Sequence, residues 1–233
     1  MKQFSNRYIF IFSAIMVIAV ATLLSLAATL LQPAQARNLE MEKKRNMLES
    51  INVEATSENT EELYEKFIKE GFVINPDGDV VEGIDAFTVV VRNEQKKPLE
   101  QQYLPIFRAE PADGEKVIIV PVEGKGLWGP IYGYVSLKSD MNTIYGTNFD
   151  HKGETPGLGA EINTTEFESQ FEGKKLFENG DFTSVRVVKG GAKEGDQHGV
   201  DAISGGTITS KGLEKMIFDC LNKYNAYFQK NRI

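Results

Sequence analysis

Hydroxyl side chains crowd around two glycines in the stretch DAISGGTITS, residues 201–210. An apolar stripe at helical spacing follows it: Leu213, Met216, Ile217, Cys220, Leu221 and Tyr224. The stripe predicts a last helix from near Thr209 to about Gln229, with Cys220 buried as a small hydrophobe. Serine and threonine before a helix commonly satisfy its first free N–H groups, and this interpretation accounts for Thr209 or Ser210.

The same stretch also suits an anion, because the start of a helix combines free N–H groups with the positive end of the helix dipole. Gly205 and Gly206 let the backbone approach a ligand closely. A hydroxyl at this point is placed for a phosphate, either bound or esterified. The residues alone leave the helix cap and the phosphate site as open alternatives.

Two glycine-rich stretches carry further candidate residues. The stretch HKGETPGLGAEI predicts a sharply shaped loop with Glu154 and Thr155 at its bend. The stretch GKGLWGPIYGYVSL contains the single tryptophan, Trp128. The pair Leu127–Trp128 in such a loop suits the face of a flat ring, and burial of Trp128 in the core is the alternative.

A lysine ends the predicted strand in VRVVKGG, just before a flexible polar loop. This residue, Lys189, is a further candidate site residue. The alternative is that Lys189 is a solvated surface lysine, which is the usual state of this residue type.

Composition excludes several classes of function. The formal net charge of −7 leaves no basic stripe for nucleic-acid phosphates. One cysteine forms no intrachain disulfide, and with two histidines it leaves little for a metal site. The chain also lacks the P-loop pattern of NTPases. Redox chemistry in this chain would therefore require an organic cofactor.

The N-terminal segment is long and uncharged over residues 8–31. Since about 20 apolar residues cross a bilayer as a helix, this run predicts a membrane anchor. A cleaved signal peptide is the alternative, with Ala34–Ala36 as its cleavage site, but signal peptides have shorter apolar regions. Basic residues flank both ends of the run, so charge alone does not set the orientation. A long domain translocates largely regardless of charge, which favours a domain outside the cytoplasm.

The pattern divides the chain into a tail (1–7), a membrane helix (8–31), a helical extension or linker (32–56) and a domain (57–233). In the domain, helices are predicted at Thr60–Glu70, ended by Gly71, and near 163–171. Strands are predicted for DAFTVVVR, LPIFRAE, KVIIVPV, IYGYVSL, NTIYGTNF and TSVRVVKGG. Strands in succession with helices at the ends indicate an α+β domain with a mainly antiparallel sheet.

The motifs resemble those of a known family. Asp201, Ser204, Gly205, Gly206 and Thr207 resemble the D-x-x-S/T-G-A-T motif of flavinylated proteins, with Gly206 in place of alanine. Together with GLWGPIYGY, ETPGLG and VVKGGA…HGVD, they make nearly the whole chain resemble a family within the covalently flavinylated FMN-binding domains. That family is the C subunit of the sodium-translocating NADH:quinone reductases.

The resemblance implies that a flavin transferase esterifies one FMN through its phosphate to Thr207. It implies a cofactor site around that threonine, made by Ser204, Gly205, Gly206, Leu127, Trp128, Glu154, Thr155, Leu158 and Lys189. It also implies an electron-transfer subunit with no catalytic residue and no metal of its own. Its expected partners are the flavin and iron–sulfur subunits of the complex and the bilayer of a bacterial inner membrane, with the soluble domain in the periplasm and no role for nucleic acid.

Three alternatives compete with this interpretation. The G subunit of the ferredoxin-dependent Rnf complex shares the ETPGLG and SGAT-like regions, but GLWGPIYGY and the longer chain favour the C subunit of the sodium-translocating reductase. A membrane-tethered flavin sensor would contain FMN and act outside any pump. A structural anchor would use its hydroxyls only to cap the last helix.

Overall fold

The computed structural model describes residues 5–232. A helix of 44 residues, α1 (Asn6–Glu49), comes first and contains Pro33. By length and composition, it is the one helix in residues 5–232 that could cross a membrane, and its most apolar window is not buried. Lys44 begins the larger of the two compact units into which the chain divides.

The larger unit contains the sheet and the remaining helices. The helices are α2 (Thr60–Phe67), α3 (Val91–Glu94), α4 (Thr165–Glu168), α5 (Thr207–Asn222) and α6 (Asn225–Asn231), with 3-10 turns at Ala86–Thr88, Leu99–Gln101, Gly159–Asn163 and Ser169–Phe171. The strands are β1 (Ile68–Ile74), β2 (Val80–Val81), β3 (Leu104–Ala109), β4 (Val117–Lys125), β5 (Pro130–Lys138), β6 (Ile144–His151), β7 (Phe177–Glu178), β8 (Asp181–Phe182), β9 (Arg186–Val188) and β10 (Gly199–Asp201).

Six strands form one antiparallel sheet in the order β2-β1-β3-β4-β5-β6. Two small sheets accompany it: β9 pairs with β10 in parallel, and β7 pairs with β8. This arrangement confirms the predicted α+β class with a mainly antiparallel sheet and flanking helices.

Both faces of the sheet are covered, as the alternation along β4 shows. Ile118 and Val120 belong to one core, which includes the buried stripe of α5. Val117 and Ile119 belong to the other core, which includes Met47 from the end of α1 and side chains near α2. Because successive side chains of a strand point to opposite faces, β4 separates two layers of helices.

The apolar stripe of the last helix is buried as predicted, and Cys220 lies within it. The helix begins at Thr207, two residues before the predicted start. The segment predicted as one helix to Gln229 consists of α5 and α6. Along its length α5 packs on β4, and Gly212 lies against the carbonyl oxygen of Lys125. This contact places the start of α5 beside the loop between β4 and β5.

Two local predictions are wrong. DAFTVVVR forms a 3-10 turn followed by α3 instead of a strand, because the Asp85 carboxylate accepts a hydrogen bond from Phe87 N at 2.9 Å and starts the turn. Helix α2 ends at Phe67, before the predicted Glu70, and Gly71 lies inside β1. Phe107 packs against Gly71 there, so this glycine serves a close contact within the sheet.

A matched pair of isoleucines tests the packing of α5. Ile217 is 0% exposed in the core, whereas Ile208 is 58% exposed on the same helix. We expect Ile217→Ala to lower the free energy of unfolding by about 2–5 kcal/mol, because it leaves a cavity. Ile208→Ala should change it by less than about 0.5 kcal/mol. Urea unfolding of the detergent-solubilised protein measures both, and equal losses would contradict this placement of α5.

Candidate functional site

The carboxylate of Glu154 connects three segments that the sequence places far apart. Its Oε1 accepts a hydrogen bond from the backbone N–H of Trp128 at 2.8 Å. Its Oε2 accepts one from the hydroxyl of Thr209 at 2.6 Å. The loop after β6, the loop between β4 and β5, and the first turn of α5 therefore meet at one side chain. Glu154 itself is only 5% exposed.

Glu154 is ionised despite its burial. Burial by itself raises the pKa of this carboxyl, but hydrogen bonds from the Thr209 hydroxyl and the backbone N–H groups of Trp128 and Gly129 outweigh it and hold the pKa below 4.5, its ordinary value. Hydrogen bonds to an ionised group are roughly twice as strong as those between neutral groups. The carboxylate is therefore a strong tie between the segments, and both of its oxygens are occupied by protein donors.

Two glycines make room for this carboxylate. A Cβ atom on Gly126 would lie 2.5 Å from Oε1 of Glu154, and one on Gly159 would lie 2.5 Å from Oε2. Real Cβ atoms do not approach oxygen this closely, so any larger residue would displace the carboxylate. The glycines of GLWG and PGLG therefore allow the backbone to close around Glu154.

The loop that leads into α5 is shaped for glycine. Gly205 has φ +75°, a left-handed conformation that other residues rarely adopt. A Cβ atom there would lie 2.5 Å from Cδ2 of Leu158, so the Leu158 side chain rests on this glycine. At Gly206, where the motif has alanine, a Cβ atom would lie 2.9 Å from Cγ2 of Ile203. The loop is thus fitted to the glycine that this chain carries.

The capping interpretation of Thr209 and Ser210 is wrong. The N-cap of α5 is Gly206, which makes no side-chain capping bond within the described chain. Thr209 is buried and donates its hydroxyl to Glu154, and the hydroxyl of Ser210 accepts from the backbone N–H of Ile203 at 3.2 Å. The first N–H groups of α5 are therefore left without a side-chain cap, beside a hydroxyl at Thr207.

Of the four hydroxyls in the motif, two remain at the surface. Ser204 is exposed in the turn that precedes Gly205, and Thr207 is exposed as the first residue of α5. Thr207 combines an accessible hydroxyl with an uncapped helix start, which is the arrangement that suits a phosphate ester.

Large apolar side chains are exposed on the segments that Glu154 connects. Trp128 is 70% exposed, so the alternative of a core tryptophan is wrong. Leu127, Leu158 and Ile208 are exposed as well. Ile208 was not predicted from the sequence, although an apolar residue next to Thr207 and off the buried stripe of α5 was a usable signal. Exposed apolar groups on adjoining segments are typical of a surface that holds a flat ring.

The two remaining predicted residues lie at the surface on different segments. Thr155 is exposed, and its carbonyl shapes the bend by accepting hydrogen bonds from Leu158 N and Ala160 N, both at 3.1 Å. Lys189 is exposed directly after β9, whose partner β10 leads into the loop of Ser204. Its side chain makes no hydrogen bond or ion pair with residues 5–232. Both positions are compatible with ligand contact.

A pair of substitutions at Thr209 tests the Glu154 tie. Thr209→Val keeps the shape of the side chain and removes the donor to a buried carboxylate, so we expect it to lower the free energy of unfolding by about 1.5–3 kcal/mol. Thr209→Ser retains a hydroxyl and should recover most of this loss. Urea unfolding measures both variants. A Val variant as stable as wild type would show that the bond contributes little.

The hydrogen-bonded carboxylate of Glu154 also predicts that the free energy of unfolding depends on pH. Since the folded-state pKa of Glu154 is below 4.5, ionisation stabilises the fold above that pH. This stabilisation is lost as pH falls through the folded-state pKa. The difference in unfolding free energy between wild type and Glu154→Gln should therefore shrink between about pH 7 and about pH 3. A difference that grows on acidification would contradict an ionised, hydrogen-bonded Glu154.

Comparison with known proteins agrees with this geometry. The FMN-binding domain family matches residues 126–222, which include both glycine loops and α5. The crystal structure of the C subunit of the Na(+)-translocating NADH-quinone reductase from Parabacteroides distasonis is 45% identical, with a TM-score of 0.78, over 85% of this chain and 96% of that one. The crystal structure of NqrC from Shewanella oneidensis is 31% identical, with a TM-score of 0.70, over 82% of this chain and 96% of that one.

Curated sequences match over a similar share of the chain. The C subunit of the Na(+)-translocating NADH-quinone reductase of Vibrio vulnificus is 33% identical over 82% of this chain and 81% of that protein. That of Haemophilus ducreyi is 31% identical over 88% of this chain and 82% of that protein. By sequence and by fold, this chain belongs to the family of C subunits of the Na(+)-translocating NADH-quinone reductases.

Proposed function

We propose that this chain carries FMN esterified through its phosphate to the hydroxyl of Thr207 and passes electrons within a sodium-translocating NADH:quinone reductase. The observation that carries the proposal is the position of Thr207, an exposed hydroxyl at the uncapped start of α5. The other motif hydroxyls on α5 compete poorly, because Thr209 and Ser210 are buried and already hydrogen-bonded.

The start of α5 supports the phosphate part of the proposal. A phosphate diester retains about one negative charge, which uncapped N–H groups and the helix dipole stabilise by about 0.3–1 kcal/mol. Gly205 and Gly206 present backbone without side chains at this point. Lys189, which follows the strand paired with β10, is proposed to add a positive charge near the phosphate or a ring carbonyl.

The exposed apolar side chains support the ring part of the proposal. Leu127, Trp128, Leu158 and Ile208 offer the flat surface that an isoalloxazine ring requires, with Thr155 as a polar neighbour. FMN supplies the redox chemistry when bound, and the protein supplies attachment and position. Glu154 is proposed to act from below the surface by holding the loops of Trp128 and Leu158 against α5. A ring on an exposed surface is accessible to a second redox subunit.

The proposal extends to location and partners. Residues 8–31 of α1 would span a bacterial inner membrane, with 1–7 in the cytoplasm and 57–233 in the periplasm; the uncharged sequence of 8–31 supports this. A covalent link would retain FMN in a compartment where free cofactor is scarce.

A flavin transferase would attach the FMN, and the other subunits of the complex would bind NADH, quinone and sodium. Turnover would belong to the complex. Family membership favours this role over an Rnf G subunit, a lone flavin sensor or a structural anchor.

Substitution of the acceptor tests the attachment. Thr207→Ala removes an exposed hydroxyl and a methyl group, so covalent flavin should disappear while unfolding free energy changes by less than about 0.5 kcal/mol. Ser204→Ala is the matched control, because Ser204 is also exposed in the motif. Flavin fluorescence of the denatured protein, made together with its flavin transferase, measures the outcome. Flavin that survives Thr207→Ala, or that is lost only in Ser204→Ala, would refute the assignment.

Substitution of the proposed ring contacts tests the remainder of the site. Trp128→Ala should keep covalent flavin and stability but change the flavin absorbance and fluorescence, because an exposed contact surface is removed. Lys189→Ala should lower the reduction potential by on the order of 30 mV, a tenfold change in a two-electron equilibrium, since it removes a cation near a reduced anionic ring. Leu99→Ala, an exposed leucine outside the site, is the control. Potentials and spectra equal to wild type in both variants would refute this pocket.

A further inference from the structure

An acidic groove of about 620 Å³ lies among the end of α1, β6 and the segment around α4. None of the residues proposed to hold FMN lines it. Its lining includes four carboxylates and three amides: Glu49, Glu54, Glu168, Glu172, Asn52, Asn148 and Asn163. Within the described chain, the lining contains no lysine, arginine or histidine. Negative charge is therefore concentrated in the lining, and the adjacent cation is Arg45, whose Nε lies 3.6 Å from Oε1 of Glu49.

The carboxylates of the groove are poorly compensated. Oε1 of Glu168 accepts a hydrogen bond from Phe149 N at 2.6 Å. Burial nevertheless raises the pKa of Glu168 to about 7, and the charges of Glu49 and Asp150 add to the rise. Burial likewise raises the pKa of Glu49; the charges of Asp150 and Glu54 add to this, and Arg45 opposes it. The groove thus disfavours its own negative charge, which a bound cation would relieve.

A buried amide points to the same need. Asn148 is 7% exposed and lines the groove. Its Nδ2 donates to Oε2 of Glu49 at 2.9 Å, while its Oδ1 has no hydrogen-bond partner among residues 5–232. An unsatisfied buried acceptor costs about 1–3 kcal/mol. Oδ1 of Asn148 is therefore a buried acceptor without a donor, beside carboxylates whose charge is only partly compensated.

The cation that fits the groove is organic rather than metallic. In residues 5–232, no group of three or more His, Cys, Asp or Glu side chains is arranged to hold a metal ion. A guanidinium carries five N–H donors in a planar fork, which match spread carboxylate and amide oxygens. The curated relatives are named as subunits, so a chain of this family has partner polypeptides.

We propose that the acidic groove is an interaction surface that receives an arginine side chain of a partner polypeptide. The guanidinium would pair with Glu168 and Glu49 and donate to Oδ1 of Asn148. A protonated Glu168 cannot form the ion pair. At pH values below the pKa of Glu168, binding must therefore displace the proton from this carboxyl. Affinity therefore rises as pH rises through about 7. The inference concerns a surface separate from the proposed flavin site and stands independently of it.

The test uses the full chain in detergent with N-acetyl-arginine amide as the probe and N-acetyl-citrulline amide as its neutral isostere. The side-chain NH₂ signal of Asn148 in ¹H–¹⁵N spectra reports binding. We expect saturable shifts with the arginine probe only, and a dissociation constant about tenfold lower at pH 8 than at pH 6. Glu168→Gln, which keeps an acceptor for Phe149 N, should abolish this pH dependence. Glu49→Gln should weaken binding at both pH values.

The control variant is Glu166→Gln, an exposed carboxylate of α4 that does not line the groove. It should bind the arginine probe as wild type does. Equal shifts with the citrulline probe, no saturable shift at Asn148, or unchanged binding in both Glu168→Gln and Glu49→Gln would overturn the proposal. Calcium chloride that produces the same shifts at lower concentration would also overturn it, by assigning the groove to a metal ion.

Discussion

A carboxylate held out of water requires hydrogen-bond donors, and Glu154 obtains them from segments far apart in the chain. The hydroxyl of Thr209 and the backbone N–H of Trp128 both reach it, and Gly126 and Gly159 leave the space that it occupies. The position of the loop that contains Trp128 is thereby set by the position of α5. If any of these parts were displaced, a buried charge would lose its partners, which is expensive in free energy. The surrounding surface depends on this constraint.

The same constraint separates the roles of the hydroxyls. Thr209 turns inward to Glu154, while Thr207, two residues earlier at the helix start, remains at the surface. The apolar side chains divide in a parallel way: the stripe of α5 packs on β4, and Trp128 and Ile208 stay exposed. The packed interior thus presents an accessible hydroxyl and exposed apolar side chains on adjoining segments. The acidic groove beside Glu168 is built from other elements, and we propose it as a separate contact surface.

Much of this architecture could be predicted from short-range pattern. The alternation in β3 to β6 and the spacing of the α5 stripe directly reflect which side chains face a core, so both were predicted correctly. The run 85–92 was mispredicted because one capping aspartate outweighed a β-branched sequence. The roles of Trp128 and Thr209 were not readable locally, since burial and hydrogen bonding there depend on Glu154, which is 26 and 55 residues away. The clustering of Glu49 with Glu168 likewise requires the tertiary fold.

Localisation of the flavin within one peptide decides whether Thr207 is the attachment residue. Cleavage after Lys193 and Lys211 releases EGDQHGVDAISGGTITSK, which contains all four hydroxyls of the motif. The peptide would be taken from protein produced with its flavin transferase and fragmented in a mass spectrometer. We expect an FMN-sized mass increase confined to fragments that include Thr207, with Ser204, Thr209 and Ser210 unmodified. An increase located on another hydroxyl, or an unmodified peptide from protein that retains flavin after denaturation, would show that Thr207 does not carry the cofactor.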